Sequence, residues 1–361
     1  MVMTPVDMNR LLQTVVNRGI SDLHLAVGRP PPVRMHGRLV SLKIPPLTND
    51  DMQVLMKSIT SEQHQQSLRE IGGTDFGFSF EGKARFRVSL YRQKNLISMV
   101  LRLVPNEILN LDKIGLPHHV KTLLTKQKGL ILVTGPTGSG KTTTLAAMID
   151  YVNREMDHHL LTIEDPIEFY HDHKKCIVTQ REVGVDVGSF SEAIRRGLRQ
   201  DPDVIMIGEM RDPETIHAAL LAAETGHLVM ATLHTTGSAH TINRIIDAFP
   251  ANEKEQVRVQ LAQNLVAVVS QLLLPRADGQ GRVAAFEIMM RNDAIAHKIR
   301  DNKVHTIESD IQTSSQKGMI LMDDCLFDLY TSGVINHSEA MRVAMDPEAL
   351  AQKIQQHKAK T

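Results

Sequence analysis

The run Gly135, Pro136, Thr137, Gly138, Ser139, Gly140, Lys141 and Thr142 has the spacing G-x-x-x-x-G-K-[ST], the pattern of a phosphate-binding loop. Its glycines let successive backbone N–H groups turn inward around a β-phosphate, and a helix starting beside them adds positive potential. Lys141 is placed to bridge β- and γ-phosphate oxygens and the Thr142 hydroxyl to ligate Mg²⁺, with Thr143 closing the nucleotide-binding run. The context agrees: an apolar stretch, Gly129 to Thr134, precedes the loop, and a helical pattern follows from Thr142 to Asn153.

Hydrolysis of a bound nucleotide also needs carboxylates. In TIEDPIE, Thr162 to Glu168, the first acid beyond the apolar residues is Glu164, the candidate to polarise water for attack on a γ-phosphate. Asp165 reads instead as a turn cap before Pro166. In DVIMIGE, Asp203 to Glu209, glycine stands at position 208 where aspartate is common, and Glu209 would hold Mg²⁺ through water or orient the attacking water. The stretch Glu224 to His234 has a histidine at each end of a strand pattern. His227 reads as structural, whereas His234 stays open between a γ-phosphate sensor and a hydrogen-bonded structural residue. Arg85, Arg87 and Arg102 lie on an alternating strand pair; an arginine near developing phosphoryl charge aids transfer, although alternation by itself favours a wet strand face. Arg195, Arg196 and Arg199 fall on one helix, with Arg195 and Arg199 on a single face, open between an acidic partner and solvent. His171, His173 and Cys176 read as a polar loop, since the lysines between them would repel a metal cation.

These residues need elements to hold them. The first hundred residues pattern as a small α+β unit: a helix capped by Asp7 and stopped at Gly19, strands at Asp22 to Val27 and Val33 to Val40, a helix begun by Thr48, then strands through Phe76 to Phe80, Ala84 to Arg92 and Leu96 to Val104. This gives a first domain at 1–104, a linker at 105–117 and a second domain at 118–361 whose part beyond about 290 is helical. In the second domain short apolar strands alternate with helices. Ser189 with Glu192 reads as a capping box, and Asp212 with Pro213 opens a helix that Gly226 closes. Such alternation argues a mainly parallel sheet covered on both faces, an α/β fold.

Composition narrows the function. The chain has 361 residues, with 41 Lys+Arg against 41 Asp+Glu, so it lacks the excess positive field of a duplex-coating protein. Two cysteines cannot make a disulfide framework or a four-thiolate zinc site, which fits a reducing, cytoplasmic compartment. No apolar run approaches the ~18 residues of a spanning helix, and the N-terminus lacks a signal-peptide pattern.

Taken together, SDLHL, PPVRMHG, ARFRVS, VTGPTGSGKTTTLAAMIDYVN, TIEDPIEF, VTQREVG, DPDVIMIGEMRDPETI and AAETGHLVMATLHT resemble the secretion-ATPase superfamily, most closely the type IV pilus twitching-motility (retraction) ATPases. The resemblance implies an N-terminal PAS-like domain, a RecA-like P-loop ATPase domain, ATP and Mg²⁺ as cofactors and a homohexamer. It implies that Glu164 is the catalytic acid of an aspartate box, Glu209 ends an atypical Walker B strand, and His234 belongs to a histidine box. It also implies that Arg87 and Arg102 reach nucleotide across the ring. The expected function is pilus retraction at the inner face of the cytoplasmic membrane, acting on an inner-membrane platform protein, with no nucleic-acid partner. The stretch Ala294 to Asp301 departs from the retraction signature, and other traits resemble the accessory paralogue that assists a main motor. Two other classes stand beside this reading: a RecA-like DNA translocase, and a nucleotide-gated scaffold assisting another motor.

Overall fold

The computed structural model describes residues 6–35, 38–82, 84–104 and 108–359. Two compact units divide the chain: Met1–Glu107 with Pro166–Tyr170, and Ile108–Asp165 with His171–Thr361.

The smaller unit is an antiparallel sheet with helices. Its strands are β1 (Asp22–Ala26), β2 (Pro32–Met35), β3 (Arg38–Ser41), β4 (Gly73–Phe80), β5 (Ala84–Gln93) and β6 (Leu96–Val104), in the order β3-β2-β1-β6-β5-β4. Asp7 caps the helix Met8–Asn17 by accepting from the N–H groups of Asn9 and Arg10. A reciprocal Thr48–Asp51 capping box opens Asn49–Ile59. Leu12, Val15, Met52 and Leu55 from these helices meet Phe86, Val88 and Leu101 of the sheet in one core. The single strand expected at Val33 to Val40 is instead two antiparallel strands, β2 and β3, with Met35 paired to Arg38; residues 36 and 37 lie outside the described residues. The helix Glu62–Glu70 escaped the periodicity argument: it buries only Leu68.

The larger unit has a seven-stranded sheet among the described residues: β7 (Gly129–Thr134), β8 (His159–Glu164), β9 (Ile177–Glu182), β10 (Val204–Ile207), β11 (Leu228–Leu233), β12 (Leu265–Pro275) and β13 (Arg282–Met290). The order is β13-β12-β7-β11-β10-β8-β9, parallel except for the antiparallel pair β12–β13. β7, β10 and β11 are buried at every residue, as strands covered on both faces must be. One core under the helix Lys141–Glu155 includes Met148 and Val152; the other includes Ile216, Leu220, Ile242 and Leu261.

Three local expectations change. In the stretch read as a linker, 105–107 lie outside the described residues, while Leu111–Ile114 form a helix whose Leu111 and Ile114 bury in the core of the larger unit. Ser189 accepts from the Glu192 N–H, but the Glu192 carboxylate pairs with Arg196 at 2.5 Å, so the capping box is half made. The helix Phe190–Gly197 ends before Arg199, whose N–H bonds the Arg196 carbonyl in a turn, so Arg195 and Arg199 do not share a helix face.

Candidate nucleotide site

β7 delivers the chain to the loop from the middle of the parallel sheet, between β11 and β12. Gly135, Gly138 and Gly140 have φ of +143°, +81° and +90°, a region that side chains avoid. Space gives a second reason at Gly135: a Cβ there would stand 2.2 Å from the Gln271 carbonyl oxygen and 2.6 Å from Ser139 Oγ. Pro136, Thr137 and Gly138 form the exposed crest. The helix Lys141–Glu155 begins after Gly140 with no side-chain cap, leaving its first N–H groups to an anion. Lys141 is buried and folds back, donating to the carbonyls of Gly135 at 2.8 Å and Pro136 at 3.1 Å. Thr142 and Thr143 are half-buried on the first turn.

This cradle fits a nucleotide phosphate with its cation. Ser139 Oγ is buried without a hydrogen-bond partner among the described residues, a cost that a bound phosphate oxygen would relieve. Lys141 Nζ and the uncapped N–H groups of the helix supply donors suited to phosphate, and the Thr142 hydroxyl and Glu209 carboxylate are hard oxygens of the kind Mg²⁺ takes.

The loop is also clamped from β12. The Gln271 amide donates to the Ser139 carbonyl at 2.7 Å and accepts from Thr144 Oγ1 at 2.7 Å, all inside the protein. Sequence reasoning missed Gln271. Its signal was there: a polar pair, Ser270 and Gln271, interrupts an apolar strand buried along nearly all its length.

Glu164 ends β8 and is 4% exposed. Its Oε1 accepts from Thr162 Oγ1 at 2.8 Å and from Gln180 Nε2 at 3.2 Å. The other end of Gln180 accepts the His171 N–H at 2.8 Å. Burial pushes the His171 imidazole down to about 4, so it contributes no charge at neutral pH. Asp165, by contrast, is exposed.

Gly208 explains why this site lacks the usual strand-end aspartate. Its N–H donates to the Ile163 carbonyl at 2.8 Å, and a Cβ there would lie 3.3 Å from that oxygen and 3.4 Å from Glu164 Cα. The ends of β10 and β8 approach closely enough that a side chain there would have to displace its neighbours by a few tenths of an ångström, which favours glycine, and the acid stands one residue on. Glu209 accepts from Arg211 at 2.7 Å and from His234 Nε2 at 3.1 Å. Burial disfavours its charge, but the Arg211 hydrogen bond and the facing His234 imidazole outweigh that, holding its carboxyl below the usual glutamate value. On its other side His234 Nδ1 meets Thr137 Oγ1 at 3.4 Å. One chain of polar contacts thus runs from the crest of the loop through His234 to Glu209 and Arg211. Neither Arg211 nor the Gln180 contact was expected from residue type.

Arg87 and Arg102 belong to the smaller unit. They are register partners on β5 and β6, side by side on the face opposite Phe86 and Val88. Arg102 donates to Asp22 Oδ1 at 2.8 Å, and Arg87 approaches Glu168 at 3.7 Å. Both remain largely exposed. Arg85, on the same strand face, is buried with its guanidinium 4.0 Å from the Tyr170 ring centroid, so it reads as structural.

The family model described as Type II/IV secretion system protein matches residues 6–319. The chain belongs to that family. Among its relatives, the type IV pilus retractation ATPase PilT of Pseudomonas aeruginosa is 47% identical, the match covering 95% of this chain and 99% of the relative. The type IV pilus ATPase PilU of the same organism is 41% identical over 93% of this chain and 88% of its own. A crystal structure of the pilus retraction motor PilT with bound ADP superposes with a TM-score of 0.90 at 47% identity, covering 96% of this chain and 99% of that one. The secretion-ATPase family fold, an N-terminal domain joined to a RecA-like core, is the fold of this chain.

Proposed function

We propose that this chain is a Mg²⁺-dependent ATP hydrolase that drives type IV pilus retraction, and with it twitching motility, as a homohexamer at the cytoplasmic face of the inner membrane. The chemistry is supported by the Thr137–His234–Glu209 contact chain beside a buried Glu164. Retraction is supported by near-full-length likeness to PilT. Among the described residues no helix is long and apolar enough to cross a membrane. The proposed point of action is therefore a platform protein in the membrane rather than a span of this chain. Equal acidic and basic counts give no support to a nucleic-acid step.

Bound Mg²⁺–ATP supplies the electrophilic γ-phosphorus and the metal's charge. Lys141 exchanges its carbonyl acceptors in the loop for phosphate oxygens. Thr142 and Glu209 would hold the cation. Glu164, kept as an acceptor by the Thr162 and Gln180 donors, takes the proton of the attacking water. His234, touching both loop and Glu209, registers whether the loop is filled. Arg87 and Arg102 of a neighbouring subunit supply positive charge to the transition state.

Deletion in the source cell tests the motor's direction. Excess pili without twitching is the expected result; loss of pili would sink retraction. A second reading, an accessory retraction motor, is favoured by the altered stretch at Ala294 to Asp301 and by the likeness to PilU. Twitching that survives this deletion and disappears only when a paralogous ATPase is deleted too would support it.

A further inference from the structure

The Ser270 of the polar pair on β12 faces Glu287 on β13 as its register partner. Glu287 is 5% exposed, and the hydrolytic scheme does not use it. Its Oε1 accepts the Ser238 N–H at 2.6 Å, while Ser270 Oγ accepts the Gly237 N–H at 2.9 Å. These two N–H groups open the helix Ser238–Asp247, whose own N-cap residue, Gly237, has no side chain to give.

Both neighbours of Glu287 fasten the same C-terminal region. Ile288 and Ile320 exchange backbone hydrogen bonds of 2.8 and 3.0 Å, and the Phe286 N–H donates to Cys325 Sγ at 3.4 Å. A carboxylate is a costly choice for this position, since burial raises the free energy of its charged form and pushes its carboxyl above the usual range. The N-terminus of the helix Ser238–Asp247, directed at this carboxylate, offsets part of that cost. An apolar residue would fill the space but could not tie that helix.

The segment from His234 to Gly237 is therefore held at both ends. Thr137 and Glu209 hold its first residue, and Ser270 holds its last, with Glu287 on the residue that follows. We propose that Glu287 is a positioning residue that ties the His234 segment to β13, the strand whose Phe286 and Ile288 hold the region of the C-terminal helix Met322–Thr331, so that a change at the His234–Glu209 contact reaches the residues beyond 290. The proposal rests on the hydrolytic reading of the Lys141 loop.

The test uses the full-length assembled protein. Hydrogen exchange in Met322–Thr331 is expected to change by about threefold or more on adding ADP, and Glu287→Ala should abolish that change while Glu287→Gln, which keeps an acceptor oxygen, retains most of it. In steady-state hydrolysis Glu287→Ala should lower kcat by about tenfold with KM for ATP within about twofold. Combined with His234→Ala it should be no slower than His234→Ala alone. Persistence of the ADP response in Glu287→Ala would overturn the proposal, as would rate losses that multiply in the double variant. Should Glu287→Ala fail to fold, Glu287→Leu, which fills the space without an acceptor, is read in the same way. Lys141→Ala separates the two ideas: hydrolysis surviving there overturns the nucleotide site itself, whereas its loss beside multiplying Glu287 effects overturns only the coupling.

Discussion

The phosphate loop and the arginine pair on β5 and β6 are both rich in groups that favour phosphate, yet they are built in opposite ways. Around the loop the key side chains are already engaged by partners in their own chain. Gln271 grips the Ser139 carbonyl and Thr144, Thr162 and Gln180 hold Glu164, and His234 joins Thr137 to Glu209. The arginines lie on a largely open strand face, where Arg102 pairs with Asp22 and Arg87 stands 3.7 Å from Glu168. A site made this way at the loop is pre-organised, so binding costs little reordering. Exposed guanidinium groups hold little interaction energy until another surface removes them from water. The loop is expected to act through its own chain, and the arginines only when a second molecule arrives.

The largest effect should come at the loop. Lys141→Ala should reduce phosphate release by about 10³-fold with little loss of folding, because the charge that meets the phosphates is gone. A near-wild-type rate would mean that the loop is not the hydrolytic site and would end the comparison.

Next is the acid. Glu164→Gln should lower kcat by about 10²-fold while nucleotide still binds, since the amide keeps the shape but cannot take a proton. If Asp165→Asn were inactive and Glu164→Gln normal, the buried carboxylate would be structural and its exposed neighbour the base.

For the arginines the expected loss is smaller. Arg87→Ala should cost about tenfold in kcat, because Arg102 beside it keeps a positive charge at the same place. The sharper measurement mixes Arg87→Ala subunits with Lys141→Ala subunits. Recovered hydrolysis would show that the arginine serves a loop on another chain. No recovery, once subunit exchange is confirmed, would confine Arg87 to its own subunit and erase the contrast drawn here.

Asp22→Asn should give the smallest effect, about 1 kcal/mol or less at neutral pH, because Arg102 is mostly solvated. Burial disfavours the Asp22 charge, but the Arg102 and Ser21 hydrogen bonds hold its carboxyl below the usual 3.8. A depressed carboxyl stabilises the fold above its unfolded value, and that contribution disappears as pH falls through the folded one. Wild type should therefore lose more stability than Asp22→Asn as pH drops below about 4. Parallel melting curves in that window would show that the pair contributes nothing.

Much of this protein was legible without coordinates where short-range rules suffice. The loop spacing, the strand before it and the caps at Asp7, Thr48 and Asp212 all depend on a few adjacent residues, and the structure has them. The helix Glu62–Glu70 and the division of Val33 to Val40 into antiparallel β2 and β3 were not legible, the first for want of an apolar stripe and the second because the strand pattern runs on unbroken in the sequence. Gln180 and Glu287 carry no local mark of function, because their partners lie on separate elements.

By itself the sequence determined which groups the loop offers a phosphate, since glycines, lysine and threonine at fixed spacing dictate backbone freedom and charge locally. It also determined which strands are buried, through unbroken apolar runs. Only the tertiary structure decided which acid is sheltered, Glu164 rather than Asp165, and why glycine suits position 208: two strand ends meet there, and a side chain would crowd them. It alone placed Gln271 under the loop across 127 residues of chain from Thr144, and His234 between Thr137 and Glu209. Such contacts are set by the order of strands in a sheet, and strand order is a property of the whole fold that no window of neighbouring residues contains.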